Sequence, residues 1–132
     1  MALEDLIQEI NALPRTPEHR ERRLDLCKEM LDLIPEGEPR PVWAWLQYEI
    51  GWSLAQTDRN ADPAVLQEAQ DHFDRALAVY TRSSHLDRWV DCTYNLALLH
   101  ERQSRNGGDG HHEQAIALHA EILLARNDSL AP

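Results

Sequence analysis

The chain repeats its own pattern at a spacing of 46 residues, and this repeat constrains the fold more than any other feature. When Trp43 is aligned with Trp89, Tyr48 falls on a second tyrosine, Tyr94, without a gap. The same offset pairs Ile50 with Leu96, Gly51 with Ala97, Ala69 with Ala115 and Leu77 with Leu123. Self-similarity at a fixed period is typical of stacked units, each of which needs a neighbour to bury its apolar face. We therefore expect two copies of one helical hairpin.

Start signals and apolar spacing predict an all-α chain with six helices and no strand. Asp62 followed by Pro63 supplies an N-cap and a proline in the first turn, and Thr16 followed by Pro17 does the same for an earlier helix. Apolar residues recur at helical spacing after each start. The predicted helices cover about residues 3–13, 16–34, 41–56, 62–80, 86–103 and 110–127.

The last two predicted helices begin after polar residues that fit helix caps. Ser84 to Asp87 has the Ser-x-x-acid spacing of a capping box, and Asp109 precedes the last helix. The 46-residue offset also reaches backward, where it places Cys27 under Phe73. The six helices therefore group into three hairpins, at about residues 2–34, 41–82 and 86–127, in one domain of residues 1–132.

Composition argues against several kinds of partner and place. Thirteen Lys and Arg against 23 Asp and Glu give a formal charge of −10, which opposes binding to the phosphates of nucleic acid or of an anionic membrane. The acidic N-terminus lacks the basic start of a secretory leader, and no apolar run is long enough for a membrane span. We expect a cytoplasmic protein. Cys27 and Cys92 have no metal-ligand spacing and are expected to be small buried hydrophobic side chains.

Small residues recur at matching positions of the two copies. They are Ile50-Gly51 and Leu96-Ala97 on the first helix of each hairpin, and Ala69, Phe73, Ala76 and Ala115 on the second. This arrangement resembles the tetratricopeptide repeat, which has an apolar and a small residue in its first helix and Ala, aromatic, Ala in its second. The resemblance implies a right-handed solenoid of three antiparallel hairpins. The repeat here departs from the family, because its unit is 46 residues rather than about 34, and because His119 and Ile122 replace Phe73 and Ala76.

The resemblance implies a non-catalytic protein–protein interaction or assembly module without cofactor or metal, whose first helices line a concave groove. Trp and Tyr are enriched at binding hot spots. The third predicted helix carries an aromatic stripe made of Trp45, Tyr48 and Trp52. Two interpretations of this stripe stay open: it packs between helices as core, or it lines the groove. The predicted partner-binding residues are Trp45, Tyr48, Trp52, Tyr94 and Leu98 as apolar anchors, with Glu101 and Arg102 for polar specificity.

Two other functions are weighed against this one. The segments TYNLALLHERQ and AQDHFDRALAVYTR look like long-looped repeats of bacterial proteins that carry a caspase-like peptidase of the CHAT type, which implies a regulatory or sensor segment of a larger bacterial enzyme system. The stretch GHHEQAIALHAE suggests a small metal-dependent enzyme, with His112 and His119 as ligands beside Glu113 or His100. The chain lacks HExxH and nucleophile motifs, so we predict no catalytic residue and no metal.

Two further features bear on partners. The basic cluster of residues 15–23 (Arg15, His19, Arg20, Arg22 and Arg23) is either a solvated helix face paired with Glu18, Glu21 and Asp25, or a docking site for an acidic partner or a phosphate. The sequence stops where a fourth hairpin would begin, and solenoids need polar caps. We therefore expect that the chain is part of a longer protein or that a second copy covers its open C-terminal end in a homodimer.

Overall fold

The computed structural model describes residues 2–56, 62–105, 107 and 110–130. In these residues the chain forms six α-helices and one short 3-10 turn and contains no strand, so the predicted all-α class and the number of helices are confirmed. The helices are α1 (Leu3–Ala12), α2 (Arg20–Leu33), α3 (Arg40–Ala55), α4 (Pro63–Leu77), α5 (Leu86–Arg105) and α6 (His111–Leu130), and the 3-10 turn is Pro17–His19.

The helices belong to two compact units, Met1–Val79 and Tyr80–Pro132. In the first unit α1 packs on α2, α2 on α3, and α3 on α4; in the second, α5 packs on α6. The single domain, the three antiparallel hairpins and their right-handed stacking stay predictions.

Helix starts follow the predicted cap chemistry in one case and depart from it in two. The Asp62 carboxylate accepts a hydrogen bond of 2.9 Å from the backbone N–H of Ala64, as an N-cap does. Thr16 makes no side-chain cap bond, and Pro17 opens a 3-10 turn that passes into α2 only at Arg20. Ser84 lies one residue too early to cap α5, which begins at Leu86, and its hydroxyl contacts Thr81 and His85 instead.

Helix ends also differ from the predicted limits. We predicted that α4 would reach Tyr80, but the helix ends at Leu77 and the chain turns there, so that the buried Tyr80 ring packs against His85 at 5.3 Å between centroids. Helix α5 runs two residues further than predicted, to Arg105. The predicted cap Asp109 lies outside the described residues.

The close approach of α3 and α4 explains the small residues of the first unit. A Cβ on Gly51 would lie 3.1 Å from the Ala69 carbonyl oxygen and 3.1 Å from the Phe73 ring, closer than nearly all real Cβ contacts. Ala69, Phe73 and Ala76 are fully buried along the facing side of α4. Glycine therefore permits this close approach, whereas a Cβ here would force the Phe73 ring or the α4 backbone to shift by a few tenths of an ångström.

The basic cluster is held by acids other than the predicted ones. Glu49 on α3 is 3% exposed and accepts hydrogen bonds from Arg15 at 3.1 Å and Arg23 at 3.2 Å. Arg22 pairs with Glu9 on α1. The predicted pairing with Glu18, Glu21 and Asp25 is thus replaced by ion pairs between elements, which fix the segment of residues 15–23 against α1 and α3.

The second unit buries the small residues that match those of the first. Ala97 on α5 and Ala115 on α6 are buried, as are Ile122 and Ala125. His119 stands where Phe73 stands in the first copy, but it is half-buried rather than fully buried. The substitution therefore brings a polar ring to the edge of the α5–α6 contact instead of filling a core.

Candidate functional site

The aromatic stripe of α3 is largely engaged within the first unit. The Tyr48 ring lies 5.9 Å from the Phe73 ring, between centroids, and the two planes meet at 55°. The guanidinium carbons of Arg15 and Arg23 lie 4.1 Å and 5.5 Å from the centroid of the Trp52 ring. Both distances are within the range of a cation–π interaction. Trp45, Tyr48 and Trp52 are each half-buried. Tyr48 and Trp52 therefore have packing partners within the first unit.

Helix α5 exposes the apolar residues that the sequence placed in the groove. Tyr94 is 48% exposed and Leu98 is 36% exposed. Leu98 precedes Glu101 by about one turn of the helix, and Tyr94 precedes it by about two. The three side chains therefore share one face of α5. Arg102 is half-buried and lies one residue further on. All four predicted residues of α5 belong to the second unit, and the three of α3 belong to the first.

A polar contact joins α5 to α6 beside these apolar side chains. Nε2 of His119 lies 3.0 Å from Oε1 of Glu101, and Arg105 Nη2 lies 4.0 Å from the other oxygen of the same carboxylate. The His119 ring also meets Tyr94 edge-on, with centroids 6.1 Å apart. The Glu101 carboxylate thus contacts the His119 imidazole with one oxygen and the Arg105 guanidinium with the other, next to the exposed Tyr94 and Leu98.

Glu101, Arg105 and His119 line a cleft of about 220 Å³ between α5 and α6. Its lining combines charged or imidazole side chains with apolar ones: Glu101, Ser104, Arg105, His112, Ala115, Ile116 and His119. We call the cleft lining together with Tyr94 and Leu98 the α5–α6 surface. It offers apolar contact area next to groups of both charge signs, which suits recognition of an amphipathic peptide or protein segment.

Helix α6 is unusually apolar on its solvent side. Ile116 is 56% exposed, Leu123 is 62% exposed and Leu124 is 59% exposed. The side facing the core is also apolar, with Ala115, Ile122 and Ala125 buried. A surface helix normally carries its apolar residues in one stripe toward the core, so α6 presents an additional face that the helix pair α5–α6 leaves uncovered.

A histidine pair lies where α6 begins. Nδ1 of the buried His100 on α5 is 2.7 Å from Nδ1 of His111, the first residue of α6. One nitrogen must donate and the other accept, so the contact requires at least one neutral ring. Burial, and then the neighbouring His111, hold the pKa of His100 below its usual value. In the first unit, burial lowers the pKa of His72, whose Nδ1 lies 2.6 Å from Oε1 of Gln47.

The thiols and histidines differ in what chemistry they allow. Cys27 and Cys92 are buried and unpaired, as predicted, and burial raises the pKa of each thiol to about 12. A thiol with that pKa is not a nucleophile or metal ligand at neutral pH. Within the residues that the structure describes, no group of three or more His, Cys, Asp or Glu side chains is arranged to hold a metal ion.

Two residues of the α5–α6 surface, Arg105 and Ile116, and the exposed Leu123 outside it were not singled out as binding residues from the sequence. Arg105, rather than Arg102, places its guanidinium at the cleft, and the spacing of four from Glu101 could have indicated it. Ile116 lines the cleft, and Leu123 lies exposed nearby on the same helix. The apolar residues on all sides of the last predicted helix are the signal that could have found both.

Comparison of the chain with protein-family models, with curated proteins and with solved structures finds no match. The tetratricopeptide resemblance therefore stays a prediction from the sequence. Among the described helices, none combines the length and the apolar character needed to cross a membrane.

Proposed function

We propose that the chain is a non-catalytic module that binds a protein or peptide, and that the α5–α6 surface is its binding site. One observation carries the proposal. Six large apolar side chains are exposed in the described residues, and five of them lie on α5 and α6, the exception being Leu33. Exposed apolar side chains grouped on one pair of helices are a feature of protein interaction sites, whereas scattered ones are ordinary.

The mode of binding follows from what surrounds the cleft. Tyr94, Leu98 and Ile116 supply apolar contact area, because each is exposed by more than a third. Glu101 and Arg105 supply charges of opposite sign at the rim, where they select a partner more than they add affinity. Arg102, next to Glu101, is proposed to contribute to the same polar specificity.

The stripe of α3 receives a different role in this proposal. Tyr48 rests on Phe73, and Trp52 is covered by Arg15. We assign Trp45, Tyr48 and Trp52 to packing within the first unit, which leaves partner binding to α5 and α6.

The wider proposal is a tetratricopeptide-like stack of three antiparallel hairpins that acts in the bacterial cytoplasm. The repeated aromatic contacts and the close α3–α4 approach support the repeat, and two unpaired buried thiols fit a reducing compartment. Its partners are a protein or peptide, or a second copy of the chain, and the charge of −10 disfavours nucleic acid and anionic membranes. The buried, protonated thiols support a non-catalytic role.

Affinity capture with matched variants tests the proposal. Leu98→Asp places a charge on the α5–α6 surface, and Leu33→Asp places the same charge on an equally apolar exposed site of α2. We expect proteins retained by the wild type to be retained by Leu33→Asp and lost by Leu98→Asp, with unchanged helicity by circular dichroism. Equal retention by both variants would contradict the proposed site.

A further inference from the structure

We infer that the outer face of α6 pairs with the same face of a second copy of this chain, with the two helices antiparallel about a two-fold axis near Ala120. The inference rests on the proposed function, because it takes protein binding as the role of α5 and α6, and it names the partner and the geometry. The face consists of Ile116, Ala120, Leu123 and Leu124, which are all exposed.

The spacing on this face is self-complementary. Ile116 and Leu123 are seven residues apart and therefore lie on the same side of the helix, about two turns from each other. A two-fold axis midway between them sets Ile116 of one copy against Leu123 of the other, and the reverse. This match is the requirement for an interface in which both copies use one patch.

A small residue lies where the two helices would approach most closely. Ala120 falls between Ile116 and Leu123, next to the midpoint, so its counterpart in the second copy lies across the axis. Small side chains at a crossing let helix backbones pack closely, while larger ones on either side fill the space. The sequence large, small, large along the face thus fits a helix of the same sequence running the opposite way.

Charge also favours a second copy at this end of the chain. Residues 1–79 contain 8 Lys and Arg against 16 Asp and Glu, which gives a formal charge of −8. Residues 80–132 contain 5 Lys and Arg against 7 Asp and Glu, which gives a formal charge of −2. Two copies of an acidic chain repel least where the charge is nearly balanced. The nearly balanced part also holds five of the six exposed large apolar side chains in the described residues.

Disulfide trapping across the axis tests the geometry. Ala120→Cys places one thiol of each copy near the axis, within reach of the Cβ separation of about 3.5–4.5 Å that a disulfide needs. Gln114→Cys is the matched control, since Gln114 is exposed on the same helix but about 120° around it. The native thiols are buried, with pKa values raised to about 12, and do not compete. With diamide as oxidant, we expect a covalent dimer from Ala120→Cys and not from Gln114→Cys.

Sedimentation over a range of concentrations tests the association itself. We expect the wild type and Leu33→Asp to dimerise as concentration rises, and Leu123→Asp to weaken dimerisation by roughly tenfold or more, because the dimer would bury an unpaired charge. A wild-type monomer at every concentration, or equal cross-linking of both cysteine variants, would overturn the inference. Capture of another protein that depends on Leu98 would then leave the proposed function standing, and loss of that capture as well would remove both.

Discussion

Tyr94 meets His119 edge-on, with ring centroids 6.1 Å apart and planes at 67°. The residues 46 positions earlier, Tyr48 and Phe73, form the corresponding contact at 5.9 Å and 55°. The internal repeat therefore extends to the geometry of an aromatic pair between the two helices of each copy. The difference lies in burial, because Phe73 is fully buried whereas His119 is half-exposed and also contacts Glu101.

This difference predicts unequal costs for the same truncation. Phe73→Ala should lower the free energy of unfolding by about 3–5 kcal/mol, since it leaves a cavity in a packed core. His119→Ala should cost only about 1 kcal/mol or less, because it removes a surface hydrogen bond to Glu101 and a partly solvated ring contact. Urea unfolding of both variants provides the comparison, and similar losses would argue against the assigned environments.

The contact of α3 with α4 makes a prediction about glycine. Alanine is usually the better helix residue by about 1 kcal/mol. At Gly51, however, the new Cβ would crowd the Ala69 carbonyl oxygen and the Phe73 ring at 3.1 Å each. We expect Gly51→Ala to destabilise the first unit by about 1–3 kcal/mol, as overpacking does. Thermal unfolding measures this, and an unchanged or higher midpoint would show that the helices can separate without cost.

The buried carboxylate of α3 makes a prediction about the basic segment. Glu49→Gln should cost about 3–5 kcal/mol, because it leaves the Arg23 guanidinium, 2% exposed, without its ionic partner. Arg22→Met serves as the control, since it removes the exposed pair with Glu9, and exposed pairs contribute little. Denaturant titration followed by tryptophan fluorescence separates the two. Equal small effects would mean that the segment of residues 15–23 is not anchored through Glu49.

The lowered histidine pKa values predict loss of stability in mild acid. His72 and His100 bind protons less readily when folded than when unfolded, because burial disfavours their charged forms. Below the usual histidine pKa of about 6.5, the unfolded chain therefore takes up more protons, and stability falls as pH falls. Above that pH the contribution is fully present.

Chemical denaturation at several pH values between 7 and 5 measures the slope. The charged groups that also influence these two pKa values are not mutated in this experiment. They are Arg75, Lys28, Glu68 and Asp71 for His72, and His111 for His100. His72→Gln with His100→Gln should flatten the dependence in this range, whereas His112→Gln, at an exposed position, should not. An unchanged slope in the double variant would place the acid sensitivity elsewhere.

The local signals of the sequence predicted the helices, while long-range contacts decided what the sequence left open. The Asp62 cap and the small Gly51 follow from rules that act within a helix or between neighbouring helices. The anchoring of the basic segment could not be predicted, because Glu49 lies 34 residues from Arg15 and 26 from Arg23. Likewise, only packing reveals that α4 ends at Leu77, since the apolar spacing continues to Tyr80.

The exposure of the proposed binding residues was predicted only in part, for the same reason. Tyr94 and Leu98 are exposed, and the alignment of the two copies at 46 residues predicts that both lie on the surface of the groove. The alignment of the two copies could not distinguish Trp52 from Leu98, because they occupy equivalent positions 46 residues apart. They differ because Trp52 is covered by Arg15 and Arg23, which lie outside the two aligned copies. Which residues of a repeated position stay open thus depends on neighbours that differ between copies.

The central claim is that another protein contacts the α5–α6 surface, and site-specific photocrosslinking in cells tests it most directly. The photoreactive amino acid benzoylphenylalanine would replace Tyr94 in one variant and Leu33 in the other, two positions that are 48% and 47% exposed. The account predicts a discrete covalent adduct to a protein from position 94 and none from position 33. Equal adducts from both positions, or none from position 94 in a folded chain, would contradict it.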